Sequence, residues 1–433
     1  MMLASLPRSD KASPPVRSQA GQPSPVTPTG SGAEKPDSTL VSEADQILKQ
    51  MSGITGLPIK SAVRYRVVSR AQAHQYMLRN LHSQYTPGQF GIQEAMLKAF
   101  GLVPPDFNLQ KFLISFYTEQ AAGFYDPETK TMYIARWIAQ SMQPMVMAHE
   151  LTHALQDQNF GLEKFLYAER QNDDASSARQ ALVEGYATVA MLQRMIEPAQ
   201  LGNFFSLRAL FGPLLAQQIE QFPVFSKAPF FFRYGALFPY VQGAGFAQDA
   251  LHQGGWKKLN SAFDNPPETT KDFFDPQLYF QHDELPKVEL PHPKALEHAK
   301  GLSLLEENTL GALGIYTLVG QFISQGEARR VSTGWLGDRY LLYENSQTGG
   351  YAIVARTLWA ESSLASGFLD DEVAILKKKY PHIQTNGSSA KGVFSGVTSK
   401  GDVMALLRGN QVFWAEGVPP AQRGAMLKFL RSL

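Results

Sequence analysis

Apolar positions recur at helical spacing through most of the chain and at alternating spacing in a few short runs. Helical spacing covers Glu43–Met51, Ala71–Leu81, Ile92–Leu102 and Leu109–Glu119, while Ala62–Val68 alternates as a strand does. Turn residues between Gly123 and Met132–Ala135 predict a β-hairpin that reverses at Asp126-Pro127. Met142–Asn159 reads as one long helix, with Pro144 in the first turn, where its missing N–H removes no helical hydrogen bond. Asp173-Asp174 is placed to cap a second helix, Ala175–Met195, whose alanines permit close packing. Further helices are predicted over 204–221, 236–252 and 305–323.

After Gly334 the alternating pattern returns. Tyr340–Tyr343 and Tyr351–Ala355 form a hairpin around Gly349-Gly350, and a helix covers 361–379. Strands follow near Gly392–Val397, Val403–Arg408 and Gln411–Ala415, with a closing helix from Pro420. No internal repeat is present. The fold class is therefore α+β, in three parts. Residues 1–40 are rich in Pro, Ser, Thr, Gly and Ala and are expected to be a disordered tail. Residues 41–330 form a mostly helical core, and 331–433 a C-terminal α+β unit.

Composition narrows the function. With 40 Lys+Arg against 39 Asp+Glu, the net charge is +1, so no overall field draws nucleic acid or anionic lipid. Nucleic acid is not an expected partner. The chain has 0 cysteines, which removes disulfides, thiolate nucleophiles and thiolate metal sites together. Any metal must sit on His, Asp and Glu. No apolar run reaches the roughly 18–20 residues that span a bilayer, so no transmembrane segment is expected. Met1–Ser5 is too short for a signal peptide. It would fit the end of one, and an exported or cell-envelope protein, if the true start lay upstream. Compartment and oligomeric state otherwise leave no signal.

The chemistry concentrates in His149-Glu150-Leu151-Thr152-His153, inside the helix 142–159. Residues four apart share one helix face, so two imidazoles there can address a single ion. Glu150 can take a proton from water without itself being a ligand, the role of a general base. With 9 His and 39 acids, such a motif arises by chance in under about 2% of chains this long. The plain alternative is two histidines on a helix face with ordinary hydrogen-bond partners. A catalytic zinc takes three protein ligands and leaves one position open. Glu184, in Val183-Glu184-Gly185-Tyr186-Ala187 of the next helix, is the chosen third ligand, beside a glycine that allows close helix approach. Asp157 is the rival. It lies one turn beyond His153 on the same helix, where convergence with both imidazoles would need distortion. It reads either as a carboxylate that orients an imidazole or as a solvated residue.

The run His149 to Asp157 resembles the zinc helix of thermolysin-like gluzincins, differing mainly at Leu155-Gln156. That resemblance implies His149 and His153 as zinc ligands, Glu150 as general base and Glu184 as third ligand. Thr188 stands where that family carries an acid. A broader resemblance, over most of 60–430, is to uncharacterised bacterial metallopeptidases bearing this motif. It rests on Gly123–Pro127, the zinc helix, Leu182–Gly185, Phe238-Pro239-Tyr240 with Gly243, Gly255-Trp256, Pro266-Pro267 with Thr270, and Gly334–Tyr340. Asp275-Pro276 departs from the His-Pro expected there. The resemblance implies a zincin-like core: a small sheet against two zinc-site helices.

The expected function is a zinc metallopeptidase acting on a peptide or protein substrate, with Zn2+ as cofactor. The alternatives are a metal-bearing binding or envelope protein without catalysis, and a zinc hydrolase of a non-peptide amide. Tyr133 would sit on an edge strand that a peptide could extend. Tyr186, Tyr240, His252 and Tyr279 are candidate donors to an oxyanion, each also plausible as a structural residue. Phe204, Phe205, Phe211 and Phe230–Phe232 read as core or cleft wall. Gly334–Tyr340 reads as a tight turn into a strand, Asp338 and Arg339 as structural or exposed charges, and Lys377–Lys379 as a solvated helix end.

Overall fold

The computed structural model describes residues 34–84, 86–169, 172–196, 206–385 and 392–433. The chain builds one small sheet and one large antiparallel sheet with helices packed around both, an α+β fold. The longer helices of the first half are α1 (Ser38–Thr55), α2 (Arg70–Gln84), α3 (Pro87–Ala99), α4 (Leu109–Gln120), α5 (Gln143–Phe160) and α6 (Asp173–Met195). Then come α7 (Leu207–Ile219), α8 (Phe230–Ser261), α9 (Gly311–Phe322), α10 (Gln325–Gly334), α11 (Ser362–Lys379) and α12 (Arg423–Ser432). Among the described residues, no helix is long and apolar enough to cross a membrane.

The tail expected over 1–40 is shorter at its inner end. Residues 1–33 lie outside the described residues. Glu34 exchanges backbone hydrogen bonds with Val67 (3.2 and 3.0 Å), and Asp37 caps α1 by accepting from the Leu40 N–H (2.8 Å). A polar composition hid a capping signal.

The small sheet comprises β1 (Arg64–Val68), β2 (Gly123–Asp126) and β3 (Thr131–Ala135), in the order β1-β3-β2. The β2–β3 turn is tied by Asp126, whose carboxylate accepts from the Glu128 N–H (3.0 Å) and the Thr129 hydroxyl (2.6 Å). Such self-bonding is why Asp favours turns. Because β1 pairs in parallel with β3, that strand is central. Tyr133 is therefore not on the edge expected for it; its ring stacks on Phe124 with centroids 4.7 Å apart. The edge strands are β1 and β2.

Helices α5, α6 and α8 pack together beside this sheet, around fully buried Met132, Leu151, Leu155, Leu182 and Phe246. The N-cap of α6 is Asn172, which accepts from the Asp174 and Ala175 N–H groups (3.1 Å each). Asp173 and Asp174 thus occupy the first turn instead of capping it. Where α6 crosses α8, Gly185 lies against Gly243: a Cβ on either would collide with backbone of the other helix. The close approach anticipated at Gly185 is thus present. Gly185→Ala should destabilise the protein by about 3 kcal/mol, since neither backbone can yield without moving a helix. Denaturant titration would check this, and a loss under about 1 kcal/mol would contradict the packing.

The large sheet runs β4-β5-β6-β10-β9-β8-β7, all antiparallel. Its strands are β4 (Leu302–Asn308), β5 (Trp335–Asn345), β6 (Gly350–Trp359), β7 (Gln384–Thr385), β8 (Val393–Thr398), β9 (Gly401–Arg408) and β10 (Gln411–Val418). Tyr340, Leu342, Ile353, Ala355, Val412 and Trp414 face a core shared with α3, α4 and α9. The alternate residues Leu341, Tyr343, Val354 and Phe413 face a second core closed by Met426 and Leu430 of α12. This two-residue period is what a sheet covered on both sides produces. The boundary drawn at 331 falls within α10, and the sheet reaches back to Leu302.

Three expectations change here. Leu302–Asn308 is a strand paired with β5, not part of a helix over 305–323, because long-range pairing overrides the helical preference of its Leu and Glu residues. No separate tight turn precedes β5: α10 runs to Gly334 and the strand starts at Trp335. Lys379 is not solvated; its ammonium is buried against Glu416 (2.5 Å) and the Ala99 carbonyl (3.0 Å). Asp338 and Arg339 are structural. Asp338 caps α9 through the Leu310 and Gly311 N–H groups (2.8 and 2.9 Å), and Arg339 pairs with Glu307 (3.0 Å). Phe204 and Phe205, and the side chain of Phe211, lie outside the described residues.

Candidate metal centre

Helix α5 projects His149 and His153 from one face, and α6, held close by the Gly185–Gly243 contact, projects Glu184 toward them. All are buried, at 6, 8 and 7% exposure. His149 Nε2 lies 3.1 Å from Glu184 Oε2 and 3.1 Å from His153 Nε2, and His153 Nε2 lies 3.4 Å from the same carboxylate oxygen. Among the described residues this is the one group of three or more potential ligands gathered closely enough to hold an ion. Donors arranged tetrahedrally at 2.0–2.1 Å from zinc lie about 3.3–3.4 Å apart, so the triangle has the size of one face of such a site. Two imidazoles and a carboxylate also match zinc's preferred donors.

The orientation of His153 is fixed by a residue that sequence reasoning passed over. Gln156 donates its amide N–H to the Val183 carbonyl (3.0 Å), which turns its oxygen toward His153 Nδ1 at 2.8 Å. An amide oxygen only accepts, so Nδ1 carries the proton and Nε2 is left as a donor of electrons toward the centre. Because Gln156 also grips α6, it ties both ligand-bearing helices together. Gln156→Ala should weaken zinc affinity about 10–100-fold while leaving the three ligands in place. A competitive chelator titration measures this; unchanged affinity would remove Gln156 from the site.

Charge couples the group. Burial alone would raise Glu184, but the facing His153 and His149 outweigh it and hold the carboxyl well below its ordinary range. Burial pulls His149 down. For His153 burial also acts downward, yet Glu184 prevails and the imidazole sits above its usual value. With a proton on His153 the trio forms a compensated ion pair; with that proton displaced by a cation, the same atoms form a ligand set.

Glu150 is buried beside the pair at 2% exposure, and its Oε2 accepts from the backbone N–H of Tyr125 (3.0 Å). Edge strand β2 therefore holds the candidate base. Asp157 takes neither role foreseen for it. It accepts from the Tyr125 hydroxyl (2.8 Å) and pairs with Lys130 (2.7 Å), locking the β2–β3 hairpin to α5. Lys130 reaches it from a left-handed backbone conformation (φ 50°), uncommon outside glycine.

Of the other candidates, Tyr186 is directed away: its hydroxyl donates to Asn260 (2.7 Å), which bonds Thr55. Tyr279 donates to the Asn265 carbonyl (2.7 Å), and His252 is exposed. Tyr240 alone of the four approaches, its ring centroid 6.0 Å from that of His149. The roles of Gln156 and Tyr125 had no local signal, since each depends on a partner far away in sequence.

A family model described as a domain of unknown function (DUF8575) matches residues 302–426. That span covers the large sheet, under a third of the chain, and leaves the His149–His153–Glu184 group outside it. No curated protein and no solved structure matches the chain.

Proposed function

We propose that the protein is a zinc-dependent peptidase with a zincin-like core, in which His149, His153 and Glu184 hold the ion and Glu150 is the general base. The observation that carries this reading is the convergence of three electron-pair donors from two helices, with a buried carboxylate one residue from the first.

When bound there, zinc supplies Lewis acidity, making a water more acidic and polarising a carbonyl. The protein's own groups do the rest. Tyr125 N–H fixes one oxygen of Glu150, leaving the carboxylate to accept a proton from the attacking water and return it to the departing amine. Gln156 keeps the His153 proton on Nδ1, away from the centre. Tyr240, whose ring centroid lies 6.0 Å from that of His149, is the candidate donor to charge developing on the carbonyl oxygen.

The test is hydrolysis of a pool of internally quenched peptides by protein loaded with one equivalent of zinc. Activity should vanish with a chelator and return with zinc. Failure of the zinc-loaded protein to cleave any peptide or denatured protein would overturn the proposal.

A further inference from the structure

A cavity of about 150 Å³ lies between α3, α4, α6, α8 and α9, and none of His149, His153 and Glu184 lines it. Most of its wall is apolar and aromatic, including Phe100, Phe116 and Phe232. A space of this size with such walls takes a benzene ring. One part of the wall is different in kind. Asp173 of α6 lines the cavity there, beside Tyr340 of β5, whose ring packs edge-on against Phe100 with centroids 5.3 Å apart.

Asp173 is one of a pair of carboxyl groups. The Asn308 amide donates to Asp173 (2.6 Å) and to Glu306 of β4 (3.2 Å), and the Tyr340 hydroxyl donates to the other Glu306 oxygen (2.9 Å). Glu306 is 1% exposed. A buried carboxylate ordinarily has a cation beside it. Here the groups facing Asp173 are Glu306, Asp174, Tyr340, Asn308 and Gln93: two acids, a phenol and two amides. No Lys, Arg or His is among the residues lining the cavity. Burial, reinforced by Glu306, holds the Asp173 carboxyl well above its ordinary range and so favours its protonated form. Gln93 of α3 is unsatisfied as well. It is 2% exposed, lines the cavity and faces Asp173, yet its amide nitrogen has no partner in good hydrogen-bond geometry.

We propose that this cavity binds a small aromatic amine, its ring among Phe100, Phe116 and Phe232 and its ammonium against the Asp173 carboxylate. One occupant then answers both deficits. The ammonium is the cation that the acid pair lacks, and an ionised Asp173 offers the Gln93 N–H a charged acceptor, stronger than a neutral one. An aromatic acid is disfavoured, because it would set a third carboxyl beside two. The ammonium binds the ionised form of Asp173, so the proton held there passes to solvent and affinity rises with pH. The inference does not rest on the peptidase reading, and its test involves no cleavage.

The probe is benzylamine, compared with benzyl alcohol and benzoate as its neutral and anionic counterparts. Binding to the full chain is followed by calorimetry in buffers of different ionisation enthalpy and by saturation-transfer NMR. Benzylamine should bind at least about 10-fold more tightly than benzyl alcohol, with benzoate weakest. Its affinity should rise from about pH 6 to about pH 8, with protons released on binding. Asp173→Asn should abolish the preference for the amine. Because Asp173 also ties α6 to β4 through Asn308, a second variant leaves that contact in place. Gly235 of α8 lines the cavity, and a Cβ built on it meets nothing within 4 Å. Gly235→Leu should fill the space and abolish benzylamine binding, with circular dichroism melting to check that the variant folds. Benzyl alcohol binding as tightly as benzylamine would make the cavity a plain apolar void and overturn the proposal. So would a flat pH profile, undiminished binding in folded Gly235→Leu, or no binding of benzylamine at all.

Discussion

Glu150→Gln is expected to bind zinc within a few-fold of the parent protein and to hydrolyse peptides about 10³-fold more slowly. The replacement keeps the size of the side chain, and the amide oxygen can still accept from the Tyr125 N–H that now holds the carboxylate at 3.0 Å. The contact to β2 therefore survives the replacement. What disappears is the ability to accept a proton, a function worth about 10²–10⁴-fold. Metal content by mass spectrometry and single-turnover cleavage of a quenched peptide give the two readouts. Full activity with full metal content would mean that the base is elsewhere, and the proposed mechanism would be wrong at its centre.

That experiment turns on a residue whose place is legible in the amino-acid sequence alone. The His-x-x-x-His spacing and the uninterrupted helical pattern around it put two imidazoles on one face, and α5 (Gln143–Phe160) is where the pattern predicts it. The hairpin is legible because Asp126-Pro127 satisfies its own turn. Glu184 stands out because an acid beside a glycine, in an alanine-rich helix, is out of place unless something faces it. Local signals of this kind survive because the chemistry is carried within one or two turns of chain.

The remainder is written in contacts between distant segments. Gln156 looks like an ordinary polar residue until Val183 is brought beside it and dictates which way its amide points. Asp157 looks like a partner for an imidazole until the hairpin folds over α5 and delivers Tyr125 and Lys130. Tyr133 moves from edge to centre because β1, far earlier in the chain, pairs with its strand. The β4 segment has helical composition and becomes a strand only because β5 offers a partner.

Glu184→Ala is expected to separate the metal group from the rest of the protein. In the parent, the carboxylate lies 3.1 and 3.4 Å from the two imidazole nitrogens, and it is the only acid in the group. Its removal leaves two neutral donors on one helix, a set that catalytic zinc does not use. Zinc affinity should fall by more than about 100-fold, beyond the effect expected from Gln156→Ala. Stability gives an independent reading, because a ligand that binds only the folded state at about 100 times its Kd adds about 2.7 kcal/mol. Parent and Glu150→Gln should both gain that increment when zinc is added, measured by denaturant unfolding, and Glu184→Ala should gain almost none. The pair of variants thus distinguishes holding the ion from using it. If Glu184→Ala instead bound zinc as tightly as the parent, the three-donor triangle would be a buried ion pair, and the hydrolase proposal would lose the observation that carries it.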